Sequence, residues 1–346
     1  MSDFNRIKQL YLTFSHEMRE HFDEKKPILR ESIEAIRLRY WYEGLKQRTS
    51  LHTAYELERH FEKESFQRNS NGTIRHYRSK WSRYEQSIHT PKSKTLKRVE
   101  LLAPGSTREI DHPLWRILKL TDPGEIDAEM ILRTLSFDVQ EIIFVCSFSG
   151  LSSYSNRKPI TQRVLDQLER RASLDCLTCL ICLLLEASSQ KRAVLSTKIA
   201  LTVHNVILMM GIELYARKVA LPLLDILIER ILPLGVMPHL KMWMISSDYI
   251  HASAHLNLMV YQTKRGNKRV LSWPQRAKLM YRLIHGYMGL DVQYAMAPQF
   301  ELNDKVGDIP EELINKFNKA SSLRNWAWDS IVEGRSEPMP PAELFV

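Results

Sequence analysis

Residues 176–185, CLTCLICLLL, form the most apolar run in the chain. A helix that spans a membrane needs about 20 apolar residues. This run has ten, so it predicts a helix buried in a protein core. It lies within residues 159–289, where segments with helical periodicity are joined by short connections, an arrangement that favours antiparallel neighbours. The sequence therefore predicts an all-α protein with a C-terminal multi-helix bundle.

The composition of the chain supports a folded, helical protein. Apolar residues make up 44% and charged residues 26% of its 346 residues, as in ordinary globular domains, which excludes a wholly disordered chain. Glycine occurs only 12 times, which argues against a β-rich fold and against glycine-rich nucleotide loops. The length suggests about two domains. We expect a basic helical region over residues 1–120, an apolar helical bundle over 125–330 and a flexible tail over 331–346.

Helical periodicity also occurs outside the apolar region. Ile7, Leu10, Tyr11 and Phe14 recur with helical spacing and predict a first helix over residues 4–22. Residues 125–147 predict one or two further helices. The polar residues 150–158 that follow predict a loop, which is a candidate domain boundary.

The cysteines predict a reducing environment. Cys176, Cys179 and Cys182 lie within seven residues on one apolar segment, where they cannot build a disulfide framework. At this spacing their side chains fan round a helix, which favours small buried core residues over ligands of a metal cluster. The N-terminal sequence MSDFNRIKQLYLTF lacks the apolar core of a signal peptide. We therefore expect a cytoplasmic protein that does not associate with a membrane.

A second possible metal site involves two histidines. His251 and His255 are four residues apart, the spacing of a zinc-binding helix, but Ala252 stands where such a helix carries its catalytic glutamate. Asp248 lies about one turn before His251 and is in a position to orient it. A two-histidine site needs a third ligand, and the sequence marks none. We expect a polar patch between helices here, and predict no metal and no cofactor.

The positive charge of the chain is concentrated near its N-terminus. Residues 1–120 carry 24 basic and 16 acidic side chains, a net charge of +8 out of +9 for the whole chain. Residues 68–98 contain nine basic residues and a single acid, Glu85. Such a dense cluster produces a positive potential that favours polyanions, whereas a plain solvated surface is the simpler alternative.

The same basic segment contains a helical pattern. Asn71-Gly72 predicts a turn, and Thr73 can cap a helix that follows it. Aromatic and apolar residues then recur with helical spacing, which predicts a helix over residues 73–84. The stripe consists of Ile74, Tyr77, Trp81 and Tyr84. A loop with Pro91 follows, and Thr95 is predicted to cap a second short helix.

Residues 80–100 resemble the second half of Cro/repressor-type helix-turn-helix domains. Tyr84-Glu85-Gln86 matches the end of the recognition helix in that family, Pro91 matches its loop, and Leu96 matches the start of its next helix. Ser87 stands where the family has glycine. The resemblance implies that residues 73–84 are the recognition helix. It implies contacts to base edges or phosphates from Arg75, Arg78, Ser79, Lys80, Arg83, Lys92, Lys94, Lys97 and Arg98.

These patterns lead to one main functional hypothesis. We predict a nucleic-acid-binding helical protein whose partner is duplex DNA and which forms a homodimer through its C-terminal helices. Its role would be that of a bacterial transcription regulator, or of an accessory protein of a mobile element or defence locus. The alternative to a helix-turn-helix is a basic amphipathic helix whose aromatic stripe packs inside the bundle. One alternative function is a non-enzymatic helical scaffold that binds an acidic partner. The other is an enzyme or toxin with a polar site near Asp248, His251 and His255.

Overall fold

Helices dominate the computed structural model of the protein, which confirms the predicted all-α class. The structure describes residues 2–24, 32–68, 70–71, 74–76, 79–120, 127–149, 152–263, 270–303, 305, 307, 309–334 and 339–345. The helices are α1 (Asp3–Glu24), α2 (Ile33–Thr49), α3 (Ala54–Phe61), α4 (Lys80–Glu85), α5 (Ser93–Leu102), α6 (Ser106–Ile110), α7 (Pro113–Lys119), α8 (Ala128–Leu132), α9 (Phe137–Ile143), α10 (Gln162–Glu169), α11 (Leu174–Ser189), α12 (Ala193–Ala216), α13 (Ala220–Ile226), α14 (Ser246–Gln262), α15 (Trp273–Ile284), α16 (Leu290–Ala295) and α17 (Glu311–Val332). The strands form short antiparallel pairs: β1 (Gln67–Arg68) with β2 (Ile74–His76), β3 (Phe144–Ser149) with β4 (Ser152–Arg157), and β5 (Leu240–Met242) with β6 (Phe300–Leu302).

The chain forms two compact units that differ in charge. The basic unit comprises Lys26–Lys119 and Glu213–Leu223. It contains 22 basic and 12 acidic residues, a net charge of +10. The large unit comprises Met1–Lys25, Leu120–Ile212 and Leu224–Val346. It contains 27 basic and 28 acidic residues, a net charge of −1, so the charge excess of the whole chain resides in the basic unit.

The core of the large unit is built round the apolar run. α11 is buried along almost its whole length, and Ser173 caps it by accepting a hydrogen bond from the backbone N–H of Cys176 (3.2 Å). Cys176, Cys179 and Cys182 are all fully buried. Burial raises the pKa of each thiol, that of Cys182 to about 12, so these side chains are neutral and pack as small apolar residues.

The next helix is also a core element. α12 is long and apolar enough to satisfy the length and composition of a membrane span. However, 78% of its apolar window is buried inside the protein, as expected for a core helix. Met209 and Met210 on this helix are buried too, so they pack inside the chain rather than face a partner.

α1 belongs to the large unit. Its Tyr11 hydroxyl lies 3.0 Å from Nδ1 of His251 on α14. The periodicity of its apolar residues predicted this helix to within two residues at each end. The two compact units divide the chain differently from the predicted ranges 1–120 and 125–330, because α1 packs on α14 and so belongs to the large unit.

The basic unit has an aromatic core. Trp81 of α4 stacks on Phe61 of α3, with ring centroids 5.2 Å apart and an interplanar angle of 8°. Trp81 also stacks on Trp41 of α2, with centroids 6.0 Å apart. Thr53 and Glu56 form a capping box that fixes the start of α3. Fully buried aromatic side chains therefore hold α2, α3 and α4 together.

The predicted helix over residues 73–84 is wrong in its first part. Ile74–His76 forms β2, with His76 opposite Gln67 of β1, and helical structure begins only at Lys80. An Asn-Gly pair, here residues 71–72, is a strong hairpin signal, and it outweighs the helical spacing of the aromatic residues. Tyr77 lies outside the described residues. Trp81 and Tyr84 remain on one helix and are buried, as the alternative of an internally packed stripe expects.

Three further expectations are corrected in the large unit. Residues 125–147 were predicted to form one or two helices, and α8 and α9 lie within that range, but its end is wrong because Phe144–Ser149 forms the strand β3. Residues 152–157, predicted as loop, form β4 opposite it, and Arg157 at the end of β4 donates to Glu186 of α11 (Nη1–Oε1, 2.8 Å). The predicted flexible tail is partly regular, because Ala342–Phe345 forms a 3-10 turn.

Candidate nucleic-acid interface

A cleft of about 670 Å³ opens on the basic unit, beside α4, α5 and the turn that follows α3. Its volume is in the range of ligand-binding sites, and charged side chains dominate its lining. The cleft is lined by Glu62, Glu64, Ser65, Lys80, Arg83, Tyr84, His89, Thr90, Lys92, Lys94, Thr95 and Arg98. Five of these are basic residues that the sequence predicted as nucleic-acid contacts.

The structure thus brings together about half of the predicted site. The five predicted residues at the cleft are Lys80, Arg83, Lys92, Lys94 and Arg98. Lys97 is exposed on α5 but does not line the cleft, and Ser79 is half-buried just before α4. Arg75 lies in β2, but its side chain is outside the part of the chain that the structure describes, as is Arg78.

A buried polar network forms the floor of the cleft. The Lys80 ammonium donates to Oε1 of Glu62 (2.8 Å) and to Oγ1 of Thr95 (2.8 Å), and the Thr95 hydroxyl donates to the same carboxylate oxygen (3.1 Å). Burial lowers the pKa of Lys80, but hydrogen bonding to Glu62 and Tyr84 outweighs burial and holds the pKa above its ordinary value. This network links α4 to α5, and the carboxylate of Glu62 neutralises the charge of Lys80.

Thr95 therefore has a role that the sequence did not predict. The cap position of α5 is occupied by Lys92, and Thr95 lies inside the first turn of the helix, where its side chain is buried. Its hydroxyl faces Lys80 and Glu62 on the neighbouring segments rather than the backbone of its own helix. The predicted cap at Thr95 is wrong for this reason.

Some of the basic side chains at the rim of the cleft have no ion-pair partner among the described residues. Arg98 pairs with Glu64, as Lys80 does with Glu62. Arg83, Lys92 and Lys94 make no ion pair with any described residue. With five cationic and two acidic side chains, the cleft has a net charge of +3 when His89 is neutral. Such a surface attracts anions because its two carboxylates do not balance its five cations.

The start of α5 adds to this positive potential. Its first turn contains no acidic residue, and the Lys92 side chain makes no capping hydrogen bond. The backbone N–H groups of Ser93 and Lys94 have no acceptor among the described residues. Free amides at a helix N-terminus carry a partial positive charge that suits phosphate oxygens. By contrast, Glu100 closes the start of α6, accepting from the N–H groups of Gly105 and Thr107 (2.6 and 2.7 Å).

The histidine pair has partners that differ from those expected. Asp248 accepts a hydrogen bond from the backbone N–H of Ile245 (3.1 Å), so it caps α14, while Tyr11 is the hydrogen-bond partner of His251. The expectation that Asp248 orients His251 is therefore wrong. His255 packs edge-on against Trp328, and burial lowers its pKa to about 4. No group of three His, Cys, Asp or Glu residues arranged for a metal occurs in the described ranges.

Sequence reasoning missed a hydrogen-bonded pair of His285 with the buried Glu169 in the large unit. Nε2 of His285 lies 2.7 Å from Oε1 of Glu169, which is fully buried and also accepts from Nδ2 of Asn205 (3.1 Å). Burial lowers the pKa of His285, but the hydrogen bond to Glu169 outweighs it and raises the pKa above its ordinary value. The partners are 116 residues apart, so no local spacing could have indicated the pair.

The chain matches no protein-family model, no curated protein and no solved structure. The resemblance to helix-turn-helix domains therefore stays a prediction that rests on residues 80–100. One structural detail bears on it. α4 ends at Glu85, and Ser87 then adopts a φ of 58°, in the left-handed region that favours glycine. Ser87 is the residue that stands where the family has glycine.

Proposed function

We propose that the basic unit binds nucleic acid through the cleft beside α4 and α5, and that duplex DNA is the partner. One observation carries the proposal: Arg83, Lys92 and Lys94 converge on a single cleft and have no ion-pair partner among the described residues. Regularly spaced phosphates are the complementary surface for such a group of cations, because each contact releases counterions from the nucleic acid.

Burial of the aromatic residues favours a duplex over a single strand. Proteins that bind single strands stack successive bases on exposed aromatic side chains. Trp81 is fully buried and Tyr84 is 2% exposed, so neither offers a face to a base. Lysine, arginine and helix N-terminal amides are the groups that contact the phosphates of a duplex. The free amides of Ser93 and Lys94 supply two such donors at the cleft.

The test compares two variants with the same change in charge. In the first, Arg83, Lys92 and Lys94 become Glu; in the control, the exposed residues Arg163, Arg192 and Lys278 of the large unit become Glu. Binding to a short labelled duplex is measured by fluorescence anisotropy between about 50 and 200 mM salt. We expect the cleft variant to lose binding and the control to retain it. The slope of log K against log[salt] for the native protein should include about −2.7 from these three contacts.

Two outcomes contradict the proposal. One is the absence of binding by the native protein at the lowest salt. The other is an equal loss in both variants, which would mean that affinity follows net charge and not the cleft. Poly-glutamate serves as a second probe. If it binds to the cleft as tightly as the duplex does, the alternative of a scaffold for an acidic partner is favoured instead.

The narrower role is part of the proposal. A regulator that reads a defined site binds one sequence far more tightly than bulk DNA, so selection from a random duplex pool tests this role directly. If the selection enriches no sequence, the regulator role is wrong and only DNA binding without sequence preference remains. A homodimer would bind two half-sites, and sedimentation of the protein with and without a selected duplex tests it.

A further inference from the structure

The large unit has a cleft of its own, of about 750 Å³, bordered by the β5–β6 pair, α16 and α17. Aromatic side chains line it, from Trp243 after β5, Tyr294 on α16, Phe300 on β6 and Phe317 on α17. Its volume falls within the range of small-molecule sites, which are mostly apolar with a few polar groups that orient the ligand. Arg324 on α17 is a half-buried charged residue in this lining.

The Arg324 guanidinium is held in a fixed orientation. Nη1 donates to the carbonyl oxygen of Ala297. With its amide oxygen facing the guanidinium, Gln299 accepts from Nη2 (2.6 Å) and Nε (2.5 Å). A guanidinium has five N–H groups in a planar fork. One N–H on each terminal nitrogen therefore has no acceptor among the described residues, and each can donate to a carboxylate.

The charge of Arg324 is not neutralised by its bonded partners, because a carbonyl and an amide are both neutral. Asp248 acts on it only at longer range and already accepts from the backbone of Ile245 (3.1 Å). Glu301, the carboxylate at the edge of the cleft, is bound to Lys241 (2.5 Å). Burial lowers the pKa of Arg324 to about 10, so the guanidinium remains charged at neutral pH. A partly buried cation of this kind is stabilised by an anion that enters beside it.

We propose that this cleft binds a small organic acid, with its carboxylate on Arg324 and an aromatic or aliphatic body against Trp243, Phe300 and Phe317. The complementary charge selects an acid over a neutral compound, and the apolar walls select a hydrophobic body over a bare anion such as acetate. The proposal is independent of DNA binding, because every residue in it belongs to the large unit.

Binding is measured by calorimetry on the full chain with named probes. 3-Phenylpropionate and decanoate are compared with 3-phenylpropionamide, which has the same body but no charge, and with acetate, which has no body. We expect both hydrophobic acids to bind, and 3-phenylpropionate to bind about tenfold or more tightly than its amide, the effect of a charged hydrogen bond. If the amide binds as tightly as the acid, or if neither hydrophobic acid binds at low millimolar concentration, the proposal is wrong.

Variants on α17 locate the site in the cleft. Ala320→Trp fills the cleft from α17, whereas Ser322→Trp puts the same bulk on an exposed position of α17 that does not line it. We expect binding of 3-phenylpropionate to be lost in the first variant and unchanged in the second. Arg324→Lys, which keeps the charge but loses the planar fork, should weaken the acid more than the amide. Equal affinity in the two tryptophan variants would overturn the assignment.

Discussion

The two compact units differ in the packing of their cores and in their net charge. The core of the large unit is mainly aliphatic, its buried His204 and thiols are neutral, and the unit has a net charge of −1. The basic unit packs stacked aromatic rings under a surface with a net charge of +10. In this chain, therefore, the aliphatic core belongs to the unit with almost no net charge, and the aromatic core belongs to the strongly basic unit. Substitutions that act on only one unit test this separation.

The largest effect should come from Trp81→Ala. Trp81 is fully buried and stacks on both Phe61 and Trp41, so its removal leaves a large cavity and should destabilise the basic unit by about 3–5 kcal/mol. Urea unfolding checks this. Trp243→Ala is the control, since Trp243 is 60% exposed, and surface changes are usually within about 0.5 kcal/mol. Similar losses in both variants would mean that the aromatic stack does not hold the basic unit together.

A slightly smaller effect is expected from acid on the large unit. His204 is fully buried, accepts from the Tyr249 hydroxyl (2.8 Å) and donates to the Met296 carbonyl (2.8 Å), and burial lowers its pKa from 6.5 to about 4. Between these values the unfolded chain binds a proton that the folded chain does not. Stability should therefore fall by about 3 kcal/mol as the pH drops from 6.5 to 4.

NMR titration of the His204 ring protons checks this assignment directly. The folded protein should show no change in the His204 signal above about pH 5, whereas the urea-unfolded chain should titrate near its ordinary value. Normal titration of His204 in the folded protein would contradict the neutral buried state. Such a titration would also mean that the large unit does not keep its buried histidine neutral, which is one of the differences between the two units.

The smallest effect is expected from Glu100→Gln in the basic unit. Burial alone would raise the pKa of Glu100, but hydrogen bonds from the N–H groups of Thr107 and Gly105 outweigh it and lower the pKa to about 2. The carboxylate thus stabilises the fold above pH 4.5, and that contribution is lost as the pH falls toward 2. The variant should lose about 1 kcal/mol at pH 7, as for a lost helix cap, and nothing below pH 2. Urea midpoints across this range check it; a loss independent of pH would show that charge is not involved.

The sequence predicted what depends on neighbours along the chain. The apolar spacing of α1 and the long run of α11 fixed those helices, because each pattern extends over several turns. The basic members of the cleft were found because they lie close together in sequence. At Ile74–His76 the same kind of periodicity misled, because a hairpin signal within a few residues competes with a short helical pattern.

What escaped prediction depends on contacts between distant residues. Glu62 meets Lys80 and Thr95 across 18 and 33 residues, and these contacts decide which cations remain free. Arg324 and Gln299 likewise meet only because α17 folds back on the segment before β6. Neither pair has a spacing that marks it, so the sequence identified candidate cations but not which of them are neutralised.

The basic unit is discontinuous in sequence, and this affects how it can form. Glu213–Leu223 belongs to it, and Arg217 in that segment donates to Glu109 (2.9 Å) and lies over the ring of Tyr40 (4.2 Å). A fragment that ends near residue 120 therefore lacks part of the unit that carries the proposed DNA site. During synthesis the ribosome must add about 100 further residues before this segment emerges, a delay of roughly 5–20 seconds. The residues that line the cleft are thus synthesised well before the segment that completes the basic unit around them.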